Sequence, residues 1–209
     1  MATTMRNQMA LWGGALVMVL GLILSGWAPF DRTTWLLEVF PVLIVLPLLL
    51  VTRHSYPLTT LLYLAITLHA VVLMVGGAYT YARVPLGFEL ARWFELSRNP
   101  YDKIGHLFQG MVPALAVREI LVRGAYVRGR KMLAFLCVCV VLAISACYEL
   151  IEWAAAVALG QGADEFLGTQ GDPWDTQSDM FCALLGSILA LLCGSRWQDS
   201  QTKNINKII

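Results

Sequence analysis

Three short stretches of this sequence place acidic side chains where a helix would bring them together with other polar groups. In the first, Asp102 and His106 are four residues apart, so both lie on one helix face, which Gln109 continues. Asp102 alone would suit the start of a helix as a cap, with His106 in the headgroup zone. The pair together with Gln109 fits better a carboxylate that orients an imidazole for acid–base work.

The second stretch is 148–153, where Glu149 and Glu152 are three residues apart and lie on nearly the same helix face. If this helix leaves the membrane near Trp153, Glu152 is interfacial. If it leaves near Leu159, Glu149 lies about ten residues, or roughly 15 Å, inside the membrane. One glutamate could pair with a neighbouring helix, but two acids flanked by a tyrosine and a tryptophan favour a functional role.

The third stretch leads into the last apolar run. Asp172 precedes a proline and is expected to cap a helix, with Asp175 in its first turn. Asp179 lies one turn further on, and Ala183 and Gly186 continue its face. Small residues in a membrane helix allow close packing against another helix. Asp179 is therefore predicted to point into the protein rather than at lipid.

The chain around these acids is strongly apolar. Hydrophobic residues make up 58% and charged residues 14% of its 209 residues, and the mean hydropathy is +0.65. A soluble domain carries about 25% charged residues, so an ordinary soluble fold is excluded, as are disordered and disulfide-scaffold classes. The charges lie between six apolar runs at about 9–28, 35–51, 58–79, 104–121, 132–159 and 180–194.

About 20 apolar residues cross a membrane. The predicted fold is therefore all-α, a polytopic transmembrane helix bundle of six spans, in a single integral membrane domain over residues 1–209. The first run is longer than the apolar core of a signal peptide, and the residues that follow it form a poor cleavage site. It is therefore predicted to remain as a span.

Basic residues set the predicted orientation. An even number of spans puts both termini on one side, where the segments hold ten Lys and Arg residues: Arg6, Arg53, Arg118, Arg123, Arg128, Arg130, Lys131, Arg196, Lys203 and Lys207. The opposite segments hold five: Arg32, Arg83, Arg92, Arg98 and Lys103. The positive-inside rule then predicts that the N- and C-termini are both cytoplasmic.

With this orientation the acidic stretches meet near the outer face of the membrane, and Glu38 lies at the same level. The candidate catalytic residues are His106, Glu149, Glu152, Asp179, Asp102 and Asp175. Such a cluster can bind a hard cation, perform acid–base catalysis or relay protons. The candidate metal ligands are His106, Glu149 and Asp179. Lys103, Arg98 or a divalent metal ion is expected to compensate the negative charge.

Other polar features have simpler interpretations. The net charge of +1 implies no nucleic-acid partner, and the basic segment 123–131 is interpreted as a topology anchor near headgroups. His69, inside the third run, is expected to form a hydrogen bond to a neighbouring helix. Arg118 and Glu119, at the inner end of the fourth run, are interpreted as a snorkelling pair. No residue is assigned to an organic cofactor.

The three stretches resemble the YjdF family of uncharacterised bacterial inner-membrane proteins. The resemblance rests on Asp102-Lys103-x-x-His106, on 148–153 and on the long string 168–180, and it extends over nearly the whole chain. It implies a multi-pass protein of the bacterial inner membrane and no particular activity.

The second half also looks like the VanZ-like proteins, which are associated with resistance to glycopeptide antibiotics. The residues that match are Asp102, Lys103, His106, Glu149, Asp179 and Gly186. Ala183 stands where that group has Asn, and the two Asp residues are one position further apart. This resemblance implies a polar site on the outer side that acts on lipid or envelope material.

Three functions remain open on the sequence. The first is a small hydrolase or transferase with a lipid or lipid-linked substrate, in which Glu149 or Asp179 is base or metal ligand, with His106 as acid, base or ligand and Asp102 orienting it. No H-E-x-x-H or G-x-S-x-G motif accompanies it. The second is an ion- or proton-coupled transporter, which would prefer polar residues through the whole bundle. The third is a non-catalytic scaffold or accessory subunit; the oligomeric state is open.

Overall fold

The computed structural model describes residues 2–159 and 169–205, and all regular secondary structure within them is helical. Seven helices follow one another in these ranges: α1 (Ala2–Trp27), α2 (Arg32–Thr52), α3 (Thr60–Tyr79), α4 (Pro85–Trp93), α5 (Tyr101–Arg123), α6 (Arg130–Leu159) and α7 (Asp175–Ile205). The all-α fold predicted from the sequence is confirmed.

Five of these helices are long and apolar enough to cross a membrane: α1, α2, α3, α6 and α7. The predicted run at 104–121 lies in α5, which is long enough at 23 residues but too polar to meet the same criterion. The polar residues of α5, such as His106 and Arg118, are buried against other helices. Apolarity alone therefore identifies five spans where the sequence predicted six.

The helix starts show how the sequence sets their borders. Asp31 is extended, and its carboxylate accepts a hydrogen bond from the Thr34 amide at 2.7 Å, which lowers the pKa of Asp31. Thr59 caps α3 in the same way through its hydroxyl and the Leu62 amide. Each cap satisfies an amide that has no partner inside its helix.

The helices α5 and α7 pack against each other more extensively than any other pair in the described part of the chain. A Cβ on Gly110 would meet the Ala183 carbonyl, and a Cβ on Gly186 would meet the Leu107 carbonyl. Ala183 has no exposed surface. The predicted close packing of the face formed by Ala183 and Gly186 is therefore confirmed.

The same two helices run in the same direction and are in contact near both of their ends. Near their starts, Lys103 of α5 donates a hydrogen bond to Asp179 of α7 at 2.6 Å. Near their ends, Arg118 of α5 donates to Asp199 of α7 at 2.6 Å. Helix α5, which is too polar to be identified as a membrane span by itself, thus lies alongside α7, which is apolar enough to be one.

Contacts between helices define two ends of the bundle. At one end α2, α5 and α7 begin and α1, α3 and α6 finish: Trp35 of α2 donates to Ser25 of α1 at 3.0 Å, and Tyr148 of α6 donates to Glu38 of α2 at 3.1 Å. We call this the acidic end, since it holds the predicted catalytic residues. The opposite end, where α1, α3 and α6 begin, is the basic end.

The basic end is held by a buried polar network around Glu119, which has no exposed surface. Its carboxylate accepts hydrogen bonds from the Thr59 amide and hydroxyl at 3.0 and 2.6 Å and from Gln198 at 3.2 Å, and it pairs with Arg123 at 3.2 Å. Arg118 instead donates a hydrogen bond to Gln198 at 3.0 Å, in addition to the one that it donates to Asp199 of α7. The predicted snorkelling of Arg118 and Glu119 is wrong, because both residues are buried and bound to partners outside α5.

Candidate functional site

The starts of α5 and α7 bring three of the predicted site residues together. His106 Nε2 lies 3.5 Å from an Asp102 oxygen and 3.8 Å from an Asp179 oxygen. One potential ligand atom from each of the three residues lies within 4.8 Å of the others. His106 and Asp179 are buried, with 5% and 2% of their surface exposed. Interactions among the three are therefore screened little by water.

The second ring nitrogen orients His106. Nδ1 lies 3.0 Å from the amide oxygen of Gln109, three residues along α5. When Nδ1 donates its proton to Gln109, Nε2 presents a lone pair toward two carboxylates, so a proton or a metal ion is needed among these atoms. Separations of 3.5 and 3.8 Å exceed an N–H···O bond of about 3 Å. They come closer to the distance between two ligand atoms of the same metal ion in a tetrahedral site, where each metal–ligand bond is about 2.0–2.2 Å long.

The two glutamates of α6 approach from another side. Glu149 Oε1 lies 3.9 Å from His106 Nδ1. It is buried and has no hydrogen-bond partner in the described part of the chain. Because Asp102 and Asp179 face Nε2 instead, the structure groups Asp102, rather than Glu149, with the other two candidate metal ligands. Glu152 lies nearly one turn beyond Glu149 and is buried.

Two cations compensate the acids at and just before the start of α7. The Lys103 ammonium bridges Asp175 at 2.7 Å and Asp179 at 2.6 Å. Arg98, in the loop before α5, pairs with Asp172 at 2.9 Å and Asp175 at 2.7 Å. Burial opposes the charge of the Arg98 guanidinium, but the hydrogen bond and charge of Asp175 raise its pKa. Both predicted counter-charges are thus engaged, and Asp175 is tied to them rather than to His106.

Glu38 reaches the site from α2. It is 4% exposed and accepts a hydrogen bond from Tyr148, whose ring lies edge-on to His106 with 6.3 Å between centroids. Tyr148 therefore connects α2 and α6 beside the imidazole. The sequence placed Glu38 at the right level but contained no signal for this partner.

Tyr81 is a site residue that the sequence analysis missed. It follows α3 and is 6% exposed, and its ring fills the space beside Gly76 and Gly105, where any Cβ would collide with it. Thr80 and Tyr81 both have positive φ, 56° and 44°, which costs about 1–3 kcal/mol for each non-glycine residue. The glycines on α3 and α5 were the only local sign of this packing.

These side chains form one end of a cavity of about 330 Å³ between α2, α3, α5 and α6. The ionisable residues in its wall are Glu38, His69, Tyr81, Asp102, His106, Tyr148 and Glu152. The α5 residues in the wall recur at helical spacing from Asp102 to Ile120, and beyond Gln109 they are apolar. The cavity is therefore an apolar groove along α5 that is closed at the acidic end by polar groups.

His69 lies in the cavity wall without the partner that the sequence suggested. Its Nε2 is buried and makes no hydrogen bond within the described residues. Its ring stacks on Phe108, with centroids 6.2 Å apart. Nε2 therefore does not form the expected hydrogen bond to a neighbouring helix, because the neighbouring wall of α5 presents an aromatic ring at this level.

Comparison with known proteins places the chain in a family. The family described as "Predicted membrane protein (DUF2238)" matches residues 10–200. Inner membrane protein YjdF of Escherichia coli (strain K12) is 64% identical over 194 residues, which is 93% of each chain. No solved structure matches, and the VanZ-like resemblance stays a prediction. With its apolar helices, the protein is a multi-pass protein of the inner membrane, and it belongs to the DUF2238 family of membrane proteins.

Proposed function

We propose that the protein is a metal-dependent hydrolase or transferase that acts on a lipid or lipid-linked component at the outer face of the inner membrane. The observation that carries this proposal is the cavity of about 330 Å³, which joins the His106 group to an apolar groove. Ligand sites of this kind are mostly apolar with a few convergent polar groups. A lipid presents the matching pattern, a polar head joined to an apolar chain.

The proposal includes six spans with both termini in the cytoplasm. The parallel course of α5 and α7 supports α5 as the sixth span, since α7 is long and apolar enough to cross. The surplus of Lys and Arg on segments at the basic end supports a cytoplasmic position for that end. The acidic end then faces the periplasm, at the level of the outer headgroups.

In this proposal Asp102, His106 and Asp179 hold a divalent cation, and Gln109 fixes the imidazole. A cation held by these three residues would supply Lewis-acid polarisation of a water molecule for attack on a carbonyl or phosphoryl centre. Glu149, whose buried Oε1 has no hydrogen-bond partner within the described residues, would accept the proton and pass it to the leaving oxygen, so that bond cleavage would consume one water and leave the residues unchanged.

A transport path is supported less by the same geometry. A relay across the membrane needs polar groups through the whole depth of the bundle. Beyond Gln109 the α5 residues in the described cavity wall are apolar: Val112, Pro113, Ala116, Val117 and Ile120. Within the described cavity wall, polar groups are concentrated at the acidic end, where a surface reaction would take place.

The test is substitution in intact cells. His106→Ala, Glu149→Ala and Asp179→Ala are each expected to change the cellular lipid profile in the same direction as deletion of the protein, at normal protein abundance. Glu95→Ala, an exposed acid outside the cavity, serves as the control and is expected to leave lipids as in the wild type. Unchanged lipids in all three variants and in the deletion would contradict a lipid enzyme.

A further inference from the structure

At the polar end of the cavity, carboxyl groups outnumber the single imidazole of His106. Glu38, Asp102 and Glu152 line it, and no lysine or arginine is among its lining residues in the described ranges. The two nearby cations, Arg98 and Lys103, make their shortest ion pairs with acids outside the wall, at and just before the start of α7. The Lys103 ammonium also lies 4.0 Å from Asp102 in the wall. A cation among the His106 ligands would neutralise Asp102, but Glu38 and Glu152 would still face the cavity.

Buried carboxylates of this kind are costly unless a positive charge comes close. The rings of Tyr81 and Tyr148 lie in the same wall, and aromatic faces attract ammonium groups. Two carboxylates with two tyrosines therefore complement a positively charged group and repel an anionic one.

The apolar part of the groove has the length of one leaflet. From Gln109 to Ile120 the α5 wall extends about 16 Å along the helix axis. Half of a hydrocarbon core of roughly 30 Å is about the same depth. An acyl chain that enters beside His106 would therefore follow the groove to about the middle of the bilayer.

We infer that the cavity binds one chain of an outer-leaflet lipid whose headgroup carries an ammonium, with the ammonium between Glu38 and Glu152 and the chain along α5. The inference deepens the proposed function, on which it rests for the level of the site in the membrane. It names a zwitterionic aminolipid as the ligand class and excludes purely anionic phospholipids as preferred ligands.

The experiment measures binding of two defined lipids to the purified full-length protein in detergent. Phosphatidylethanolamine and phosphatidylglycerol with identical acyl chains are added, and bound lipid is counted by native mass spectrometry alongside the thermal unfolding midpoint. The wild type is expected to prefer phosphatidylethanolamine by roughly tenfold. The double variant Glu38→Gln and Glu152→Gln is expected to lose this preference, whereas Glu95→Gln, outside the cavity, should keep it.

A second pair of variants tests the location. Ala116→Trp fills the groove and is expected to abolish the preferred binding, whereas Ala143→Trp, on an exposed position of α6, should not. Equal binding of both lipids by the wild type, or full preference in Ala116→Trp, would overturn the inference. Intact preference in a His106→Ala protein, combined with unchanged lipids in cells, would instead overturn the enzyme proposal and leave the inference standing.

Discussion

Asp179 is the residue at which the ion pairs and the proposed metal ligands meet. One of its oxygens accepts from Lys103 at 2.6 Å, and the other faces His106 Nε2 at 3.8 Å. Outer partners of this kind orient metal-bound carboxylates. Lys103 is therefore expected to position Asp179 without touching substrate.

At this residue scale, the first prediction concerns metal content. The purified wild type is expected to bind one divalent cation per chain, and a chelator should lower its thermal unfolding midpoint because bound metal stabilises only the folded state. Asp179→Asn and His106→Gln are expected to weaken binding by roughly a hundredfold or more. Elemental analysis measures this, with Asp199→Asn at the basic end as the matched control. Equal metal content in Asp179→Asn and the wild type would contradict the ligand assignment.

The second prediction concerns the ammonium group of Lys103. Lys103→Met leaves Asp179, whose side chain is 3% exposed, without its cation, and loss of one partner of a buried pair costs about 3–5 kcal/mol. Thermal unfolding in detergent should show a lower midpoint, and the second substitution Asp179→Asn should restore part of it. Lys131→Met, an exposed lysine at the basic end, is the control. A midpoint equal to that of the control would show that the bridge does not stabilise the fold.

At the scale of the elements, α5 is held in the bundle by contacts that its low hydropathy does not reveal. Gly110 packs on the backbone carbonyl of Ala183 in α7. Near the end of α5, Arg118 and Glu119 form hydrogen bonds to residues of other elements. Since lipid offers no hydrophobic drive for helix association, close packing and interhelical hydrogen bonds must supply it.

The third prediction follows from this packing. Gly110→Ala places a Cβ against the Ala183 carbonyl, which cannot move aside, so we expect destabilisation by about 1–3 kcal/mol. Gly13→Ala in α1 has open space around its Cβ and is expected to be neutral or stabilising by up to about 1 kcal/mol. Thermal unfolding of the two variants should give a lower midpoint for Gly110→Ala than for Gly13→Ala. Equal effects would mean that α5 and α7 are packed less closely than described.

The spacing of residues within single helices was sufficient to predict which side chains share a helix face. The shared face of Asp102 and His106 and the small-residue face beyond Asp179 follow from helical periodicity alone. The partners across helices do not: Tyr81 depends on a left-handed turn after α3, and the Glu38 contact with Tyr148 joins residues 110 positions apart. Such contacts are set by tertiary packing, which one sequence does not encode in a local pattern.

At the scale of the whole molecule, charge is distributed unevenly between the two ends. The acidic end carries the predicted catalytic residues, and the basic end carries most of the Lys and Arg residues. Whether α5 crosses the membrane decides the sidedness of everything after it. Five crossings would put the two termini on opposite sides, and six would put them on the same side.

The fourth prediction is therefore a topology. A reporter that is active only outside the cytoplasm should stay inactive when fused after Ile209, and also when fused in the loop 125–129 between α5 and α6. The same reporter inserted at 95–98, before α5, should be active. Activity at Ile209 would overturn the arrangement with six spans and cytoplasmic termini.

The acidic end is also the end at which α2, α5 and α7 begin. The backbone of a helix carries a partial positive charge at its start, and Asp102 and Asp175 lie in the first turns of α5 and α7. The dipoles of α5 and α7 thus act on these two carboxylates, and their field supports negative charge at an end where no lysine lines the described cavity wall. The direction in which the chain threads through the bundle therefore contributes to the electrostatics of the site in addition to its side chains.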